Sequence, residues 1–195
     1  VGGEGERDEK PVVLRTEDGG ASWIPVGGIP DLLRLEDVWF IDRTTGWMVG
    51  VRGQIYRSDD GGRTWTRQDS GTGAKLTTVQ FADANVGWAA EAAVPALLKT
   101  TDGGASWRRI VVPDVDDESG LSNLFFLDAQ RGWALGADGV LIATTDGGET
   151  WTDIGYGTKN RMYGLFFLDA QHGWVAGSQI WHTADGGETW TQQPR

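Results

Sequence analysis

The carboxylates that could do chemistry in this chain recur in one short pattern, Ser/Thr-x-Asp-Gly-Gly-x-Ser/Thr-Trp, which occurs five times. Its aspartates, 39 to 44 residues apart, are Asp18, Asp60, Asp102, Asp146 and Asp185. A calcium ion takes about six to eight oxygen ligands, whereas each copy offers a single carboxylate. The same carboxylate can accept hydrogen bonds from the backbone of a tight turn, where glycines permit positive φ. We therefore predict a structural turn in every copy and no metal site.

Tryptophan closes each copy of the pattern. The residues are Trp23, Trp65, Trp107, Trp151 and Trp190. The whole chain of 195 residues holds 11 tryptophans and 30 glycines. So many indoles require burial, which indicates that the glycines mark turns in a folded domain rather than disorder. We expect the five closing tryptophans to anchor the turns by packing at the edges of sheets.

A second motif precedes four of the five turns and reads Leu/Met-x-x-Val/Leu-x-Phe-x-Asp, followed by Gly-Trp. Its alternating apolar residues predict a first strand, and Gly-Trp predicts the start of a second. A third strand leads into the Asp-Gly-Gly turn, and a fourth begins at the closing tryptophan. Four short antiparallel strands in a unit of about forty residues are typical of a β-propeller blade.

The sequence thus predicts an all-β fold, a β-propeller or partial propeller that forms a single domain over residues 1–195. The predicted units are an N-terminal half blade at 12–26 and full blades at 35–68, 76–110, 121–154 and 162–192. No segment is predicted to form strands one and two of the half blade, because residues 1–10 are polar and rich in glycine. We expect open strand edges, which fit a piece of a larger chain, an oligomer, or a subunit covered by a partner.

These motifs resemble the BNR/Asp-box superfamily, which includes sialidases, xyloglucan-cleaving glycosidases and sortilin-type receptors. The longer pattern, as in Gly46-Trp47-Met48-Val49-Gly50 and Asp60-Gly61-Gly62-Arg63-Thr64-Trp65, is similar to the photosystem II stability/assembly factor family. That resemblance implies a non-enzymatic propeller that is exported or lies in the thylakoid lumen. It also implies a role in assembling membrane protein complexes, with more blades than this chain supplies.

Loops on the face opposite the Asp-box turns vary between copies, and variable loops on a rigid scaffold usually carry specificity. The candidate partner-binding face is basic and aromatic, and consists of Arg34, Arg52, Lys75, Tyr156, Lys159, Arg161 and Tyr163. Scattered surface charge is the alternative interpretation. Residues 114–118 form an acidic cluster that either binds a cation or basic partner or is a solvated loop. Trp39, Phe125 and Phe166 share one position in the first strand, where Gln80 stands in the remaining copy, and predict channel lining or packing between blades.

Composition excludes several classes of function. The net charge of −11 argues against nucleic acid or anionic lipid as a main partner, and no apolar run is long enough to insert into a membrane. A glycosidase needs two carboxylates about 5–10 Å apart, and no unit carries a single carboxylate in place of a repeated residue. His172 and His182 are isolated in sequence.

The sequence therefore predicts a non-catalytic, cofactor-free scaffold outside the cytoplasm. Its predicted partner is a protein, such as a membrane protein complex. The alternative is a fragment of an Asp-box glycosidase of the sialidase or xyloglucanase type.

Overall fold

Strands form nearly all of the regular structure in the computed structural model, which describes residues 11–113, 115, 120–155 and 162–194. Four sheets have four strands each, and one sheet has two. The two-stranded sheet consists of β1 (Val13–Arg15) and β2 (Ile24–Val26). The first sheet holds β3 (Leu35–Phe40), β4 (Gly46–Gly50), β5 (Ile55–Ser58) and β6 (Thr66–Gln68).

The remaining three sheets repeat this arrangement. The second sheet holds β7 (Leu76–Phe81), β8 (Gly87–Glu91), β9 (Ala96–Thr100) and β10 (Arg108–Val111). The third holds β11 (Leu121–Phe126), β12 (Gly132–Gly136), β13 (Leu141–Thr144) and β14 (Thr152–Asp153). The fourth holds β15 (Met162–Phe167), β16 (Gly173–Gly177), β17 (Ile180–Thr183) and β18 (Thr191–Gln192). Short 3-10 turns at Val51–Gly53 and Ala137–Gly139 join the second and third strands of two sheets.

Neighbouring strands in every sheet are consecutive in sequence and antiparallel. The first strands of successive sheets contact one another, β3 with β7, β7 with β11, and β11 with β15. This confirms the prediction of an all-β fold built from four-stranded antiparallel sheets, as a β-propeller has.

Aromatic stacking joins the sheets to one another. The ring of Trp88 on β8 stacks on Phe126 of the following sheet with centroids 3.5 Å apart, and its indole N–H donates to the Gly147 carbonyl at 2.9 Å. Trp47 and Phe81, and Trp133 and Phe167, repeat this stacking at 3.5 and 3.6 Å. The second strand of each of the first three sheets therefore supplies the ring that buries the first strand of the next.

Close approach explains why glycine precedes each of these tryptophans. A Cβ added to Gly87 would lie 2.5 Å from the Phe81 ring, so no larger residue fits between β8 and that ring. Phe81 is thus enclosed by glycine from its own sheet on one side and by Trp47 from the preceding sheet on the other. In the Gly-Trp pair, the glycine therefore packs against the phenylalanine of its own sheet, and the tryptophan stacks on the phenylalanine of the next sheet.

Candidate functional site

Both carboxylate oxygens of each Asp-box aspartate accept hydrogen bonds from within their own turn. Asp102 Oδ1 accepts from the Ser106 backbone N–H at 2.9 Å, and its Oδ2 accepts from the Ser106 hydroxyl at 2.6 Å. The Thr100 hydroxyl donates to Asp102 at 2.8 Å while accepting from the Gly104 N–H at 2.8 Å. The Ser/Thr, the aspartate and the second Ser/Thr of the motif thereby form one closed local network.

The same network recurs around Asp18, Asp60, Asp146 and Asp185. In each of the five turns, these hydrogen bonds to the carboxylate, with the Ser/Thr hydroxyl contributing most, lower the pKa of the aspartate to about 2. A carboxylate committed in this way is a turn anchor. Within the described residues, no group of three or more histidines and carboxylates could hold a metal ion.

A second series of aspartates anchors the turn between the first and second strands. Asp42 Oδ1 accepts from the backbone N–H groups of Thr44 at 2.6 Å and Thr45 at 2.8 Å, which lowers the Asp42 pKa. Asp83, Asp128 and Asp169 accept from their own turns in the same way. These repeated carboxylates are accounted for by turn chemistry.

The closing tryptophans differ in their burial. Trp65 and Trp151 are buried, and each meets the phenylalanine of its own first strand edge-on, with ring centroids 5.8 and 6.0 Å apart. Trp107 and Trp190 make the same contact and are partly buried. Trp23 departs from the expected packing, because its side chain is 57% exposed. Its sheet has two strands, β1 and β2, and so lacks the first strand that carries the phenylalanine.

Three residues of the candidate partner-binding face lie together. Glu36 binds Arg34 at 3.0 Å and Lys75 at 3.1 Å, so one carboxylate links the loops that lead into the first and second sheets. The 3-10 turn at Val51–Gly53 is fastened between the same loops, since Val51 N–H donates to the Arg34 carbonyl at 3.0 Å and Gly53 N–H to the Ala74 carbonyl at 2.6 Å. Arg52 stands exposed at the tip of that turn with a φ of 55°.

An open cleft of about 420 Å³ adjoins Arg52. It is lined by Arg52, Gly53, Arg67, Gln68, Asp69, Ser70 and Thr72. Tyr163 of the candidate face lies on β15 and is 68% exposed. The other three members, Tyr156, Lys159 and Arg161, lie outside the described residues, as do Asp114, Asp116, Asp117 and Glu118 of the acidic cluster.

Residues at the shared first-strand position make contacts between sheets, although Trp39 and Phe166 are still 36% and 52% exposed. Trp39 donates its indole N–H to the Phe81 carbonyl at 3.0 Å, and the rings of Phe125 and Phe166 are 5.3 Å apart. Gln80 takes the same place by hydrogen bonding to both the N–H and the carbonyl of Phe126, at 2.7 and 2.8 Å. These contacts favour packing between sheets as the role of this first-strand position. In the second sheet the amide of Gln80 takes the place of an aromatic ring.

One carboxylate does break the repeat, contrary to the sequence-based expectation. Glu91 ends β8 where Gly50, Gly136 and Gly177 end the equivalent strands. Its side chain is 2% exposed and binds Arg109 of β10 through both oxygens, with Nε–Oε1 at 2.9 Å and Nη2–Oε2 at 2.8 Å. Hydrogen bonding to Glu91 raises the pKa of Arg109. Alignment of the Gly-Trp-x-x-Gly copies would have revealed the substitution, although not its partner.

The two histidines are neighbours in space. The ring centroids of His172 and His182 are 6.3 Å apart, and His182 lies 4.8 Å from Trp174. His172 Nδ1 lies 3.0 Å from both oxygens of Asp169, which is already an anchor of its turn. The sequence spacing of 172 and 182 did not indicate this, because the pairing of β16 with β17 brings His182 near the residue that precedes β16.

Repeated antiparallel sheets with Asp-box turns and variable loops opposite them define a scaffold of the propeller type. The family model described as Photosynthesis system II assembly factor YCF48 matches residues 28–114 and 111–194. The chain therefore belongs to that family.

Among curated relatives, the Photosystem II assembly lipoprotein Ycf48 of Picosynechococcus sp. is 28% identical over 148 residues, 71% of this chain and 42% of the relative. The protein of the same name from Synechococcus sp. is 34% identical over 97 residues, 49% of this chain and 28% of the relative. The chain thus spans less than half the length of these relatives.

Among solved structures, one at 25% identity supports the same relationship, and two at lower identity match in fold. The structure titled "YCF48 bound to D1 peptide" has a TM-score of 0.67 and 25% identity, covering 84% of this chain and 55% of that one. YCF48 from Cyanidioschyzon merolae has a TM-score of 0.72 at 22% identity, covering 94% of this chain and 66% of that one. A GH74 enzyme from Niastella koreensis matches in fold, with a TM-score of 0.73 at 17% identity, over 94% of this chain and 34% of that one.

No helix in the described part of the chain is long and apolar enough to cross a membrane.

Proposed function

We propose that this chain is a non-catalytic β-propeller scaffold that binds a peptide segment of a membrane protein complex during its assembly. The observation that carries the proposal is membership of the YCF48 family together with the likeness to a relative solved with a D1 peptide. The ligand chemistry is a short extended peptide of a photosystem subunit or of an equivalent membrane protein. The relatives named as lipoproteins favour a location outside the cytoplasm.

The proposed architecture is four blades, one for each four-stranded sheet, and a half blade formed by β1 and β2. The half blade carries an Asp-box turn between its strands, so β1 and β2 correspond to the third and fourth strands of the other sheets. Because the first strands contact one another in series, β3 with β7, β7 with β11 and β11 with β15, further blades would extend the same series.

The proposed binding surface is the loop face around Arg34, Arg52 and Lys75. The proposal also includes Tyr163 and, from the sequence alone, Tyr156, Lys159 and Arg161. This chain has a net charge of −11, yet cations collect at these loops. Glu36 neutralises part of that charge through its ion pairs with Arg34 and Lys75, while Arg52 is exposed beside the cleft. An exposed guanidinium next to an open cleft suits a peptide that carries a carboxylate.

The absence of catalysis is part of the proposal. Both series of repeated aspartates are engaged inside turns, and Glu91, the unrepeated buried carboxylate among the described residues, is held by Arg109. A glycosidase acid or base needs a carboxyl group that reaches the substrate. The likeness to GH74 enzymes is below 25% identity and bears on the fold alone.

The proposal is tested by fluorescence polarisation with a labelled D1 peptide. Arg52→Glu reverses the charge beside the cleft and is expected to weaken binding about tenfold or more. Arg131→Glu is the matched control, because Arg131 binds Asp128 in a turn between a first and a second strand, away from the variable loops. Equal affinity of the two variants, or no saturable binding to the unmodified chain, would contradict the proposal.

A further inference from the structure

Six aspartates of this chain are each followed directly by glycine, a pair of residues that readily isomerises in proteins. They are Asp18, Asp60, Asp102, Asp138, Asp146 and Asp185. The glycine nitrogen is the attacking group in this reaction, and its approach is unhindered because glycine has no side chain. Five of the pairs lie in Asp-box turns, whereas Asp138 and Gly139 lie in the 3-10 turn at Ala137–Gly139. One reactive sequence therefore occurs in two structural settings.

Isomerisation of an Asp-Gly pair proceeds through a five-membered succinimide ring. A bond forms between the glycine nitrogen and the aspartate Cγ, the bond from Cγ to its hydroxyl breaks, and the hydroxyl leaves as water with the amide proton. Water then adds to one of the two ring carbonyls. Addition at the α-carbonyl gives isoaspartate, whose main chain runs through the β-carbon. The reaction needs only water, a protonated carboxyl group and a glycine nitrogen that can reach it.

The Asp-box turns hold both reacting groups by separate hydrogen bonds. The oxygens of Asp102 accept from the Ser106 N–H at 2.9 Å and from the Ser106 hydroxyl at 2.6 Å. The Gly103 N–H donates instead to the Asn85 carbonyl, at 2.9 Å, in the turn between β7 and β8. The same nitrogen bond joins Gly61 to Thr44, Gly147 to Gln130 and Gly186 to Gln171, at 2.8, 2.7 and 2.9 Å. Ring closure in these four turns requires both sets of bonds to break.

The carboxylate bonds also keep the Asp-box aspartates ionised. With the Ser/Thr hydroxyl contributing most, they lower the pKa of all five from 3.8 to about 2. Only the protonated carboxyl group can lose its hydroxyl as water. At neutral pH the protonated fraction falls tenfold for each unit of pKa, so it is about 60-fold smaller in these turns than in an ordinary aspartate. This effect adds to the geometric hindrance.

Asp138 lies in a turn that does not use its side chain. The turn joins β12 to β13 and is closed by its backbone, with the Val140 N–H donating to the Ala137 carbonyl at 3.0 Å and the Gly136 N–H to the Val140 carbonyl at 2.9 Å. The Asp138 side chain is exposed, and its carboxylate accepts no hydrogen bond from any residue that the structure describes. The carboxylate restraints of the Asp-box turns are thus missing at this Asp-Gly pair.

The structure assigns Asp138 as the site at which this chain forms isoaspartate, and it assigns to the Asp-box turns the protection of their own Asp-Gly bonds. Isoaspartate adds one main-chain atom between Ala137 and Val140, which disrupts the backbone bond that closes this turn. Because the corresponding turn of the first sheet carries Arg52, the modification changes the loop face and spares the Asp-box turns. It requires no ligand, so this inference and the proposed function can fail independently.

The test compares the folded chain with the chain unfolded in guanidinium chloride, both incubated at neutral pH. Electron-transfer mass spectrometry measures the rate of isoaspartate formation at each Asp-Gly pair, and the ratio of folded to unfolded rates removes the effect of local sequence. We expect a ratio of about one at Asp138 and below about 0.1 at Asp60, Asp102, Asp146 and Asp185. A ratio at Asp138 as low as that at Asp102, or Asp-box ratios of about one, would overturn the assignment.

Two variants examine the cause of the difference. Ser106→Ala removes the hydroxyl bonded to Asp102 and is expected to raise the rate at Asp102 about fivefold or more without changing the rate at Asp138. Asp138→Glu should abolish most methylation of the aged, folded chain by an isoaspartyl methyltransferase, because a glutamate would have to close a less favourable six-membered ring. Thermal unfolding verifies that both variants fold. An unchanged rate at Asp102 would contradict protection by the carboxylate bonds, and undiminished methylation of Asp138→Glu would show that the site lies elsewhere.

Discussion

The tryptophan of the Gly-Trp motif is buried where another sheet follows and partly exposed on the fourth sheet. Trp88, between the second and third sheets, is completely buried, stacked on Phe126 and hydrogen bonded to Gly147. Trp174 occupies the same motif position on β16 in the fourth sheet, but it is partly exposed and has His182 beside it at 4.8 Å. The motif therefore supplies the tryptophan, and the next sheet supplies the phenylalanine that buries it.

The largest expected effect concerns these two tryptophans. Trp88→Ala removes a buried ring together with a stacking contact and a hydrogen bond, and should lower the free energy of unfolding by about 3–5 kcal/mol. Trp174→Ala removes a partly exposed ring and should cost less than about 1.5 kcal/mol. Urea denaturation followed by circular dichroism measures both values. Similar losses would mean that burial between sheets adds little to the motif.

The ion pair between the buried Glu91 and the half-exposed Arg109 of the second sheet should come next. Arg109→Leu leaves Glu91 buried without its partner, which is expected to cost about 2–4 kcal/mol. Adding Glu91→Gly restores the glycine found in the other sheets, and the double variant should recover most of the loss. Arg108→Gln, which breaks a surface pair with Glu149, is the control and should change stability by less than about 1 kcal/mol. A double variant no more stable than Arg109→Leu would contradict this account of the pair.

Acid should destabilise the Asp-box turns of the four-stranded sheets and of the two-stranded sheet to a similar extent. The Asp-box aspartates have a folded-state pKa of about 2, below the ordinary 3.8, because their turns hydrogen bond the carboxylate. The stability they contribute is fully present above pH 3.8 and is lost as pH falls toward 2. Melting temperatures measured from pH 7 to pH 2 should be level down to about pH 4 and then fall steeply. A decline that begins near neutral pH would indicate another titrating group.

The smallest effects compare two Asp-box turns. Asp102→Asn weakens a turn whose Gly103 carbonyl also receives the indole of Trp47 and the guanidinium of Arg57, and should lower the melting temperature by roughly 2–8 °C. Asp18→Asn weakens a turn of the outer two-stranded sheet and should lower it by less than half as much. Differential scanning calorimetry resolves this difference. Equal shifts would show that the inner turn gains nothing from the interface.

The features that could be predicted from the sequence alone are those formed by residues close together in the chain. The Asp-box networks join residues at most four apart, as from Asp102 to Ser106, so the motif determines them wherever it occurs. The alternating first strands and the Gly-Trp second strands likewise follow from short patterns. The all-β fold could therefore be predicted from residue types and spacing.

Tertiary structure decided the properties that depend on distant residues. Glu91 and Arg109 are 18 residues apart, and Glu36 joins Arg34 to Lys75 across two sheets, so no local pattern contains either arrangement. Trp23 and Trp151 end two copies of the same motif, yet one is exposed and the other is buried. The physical reason is that a hydrogen-bonded turn is complete within itself, whereas burial depends on the atoms that another part of the chain brings against a side chain.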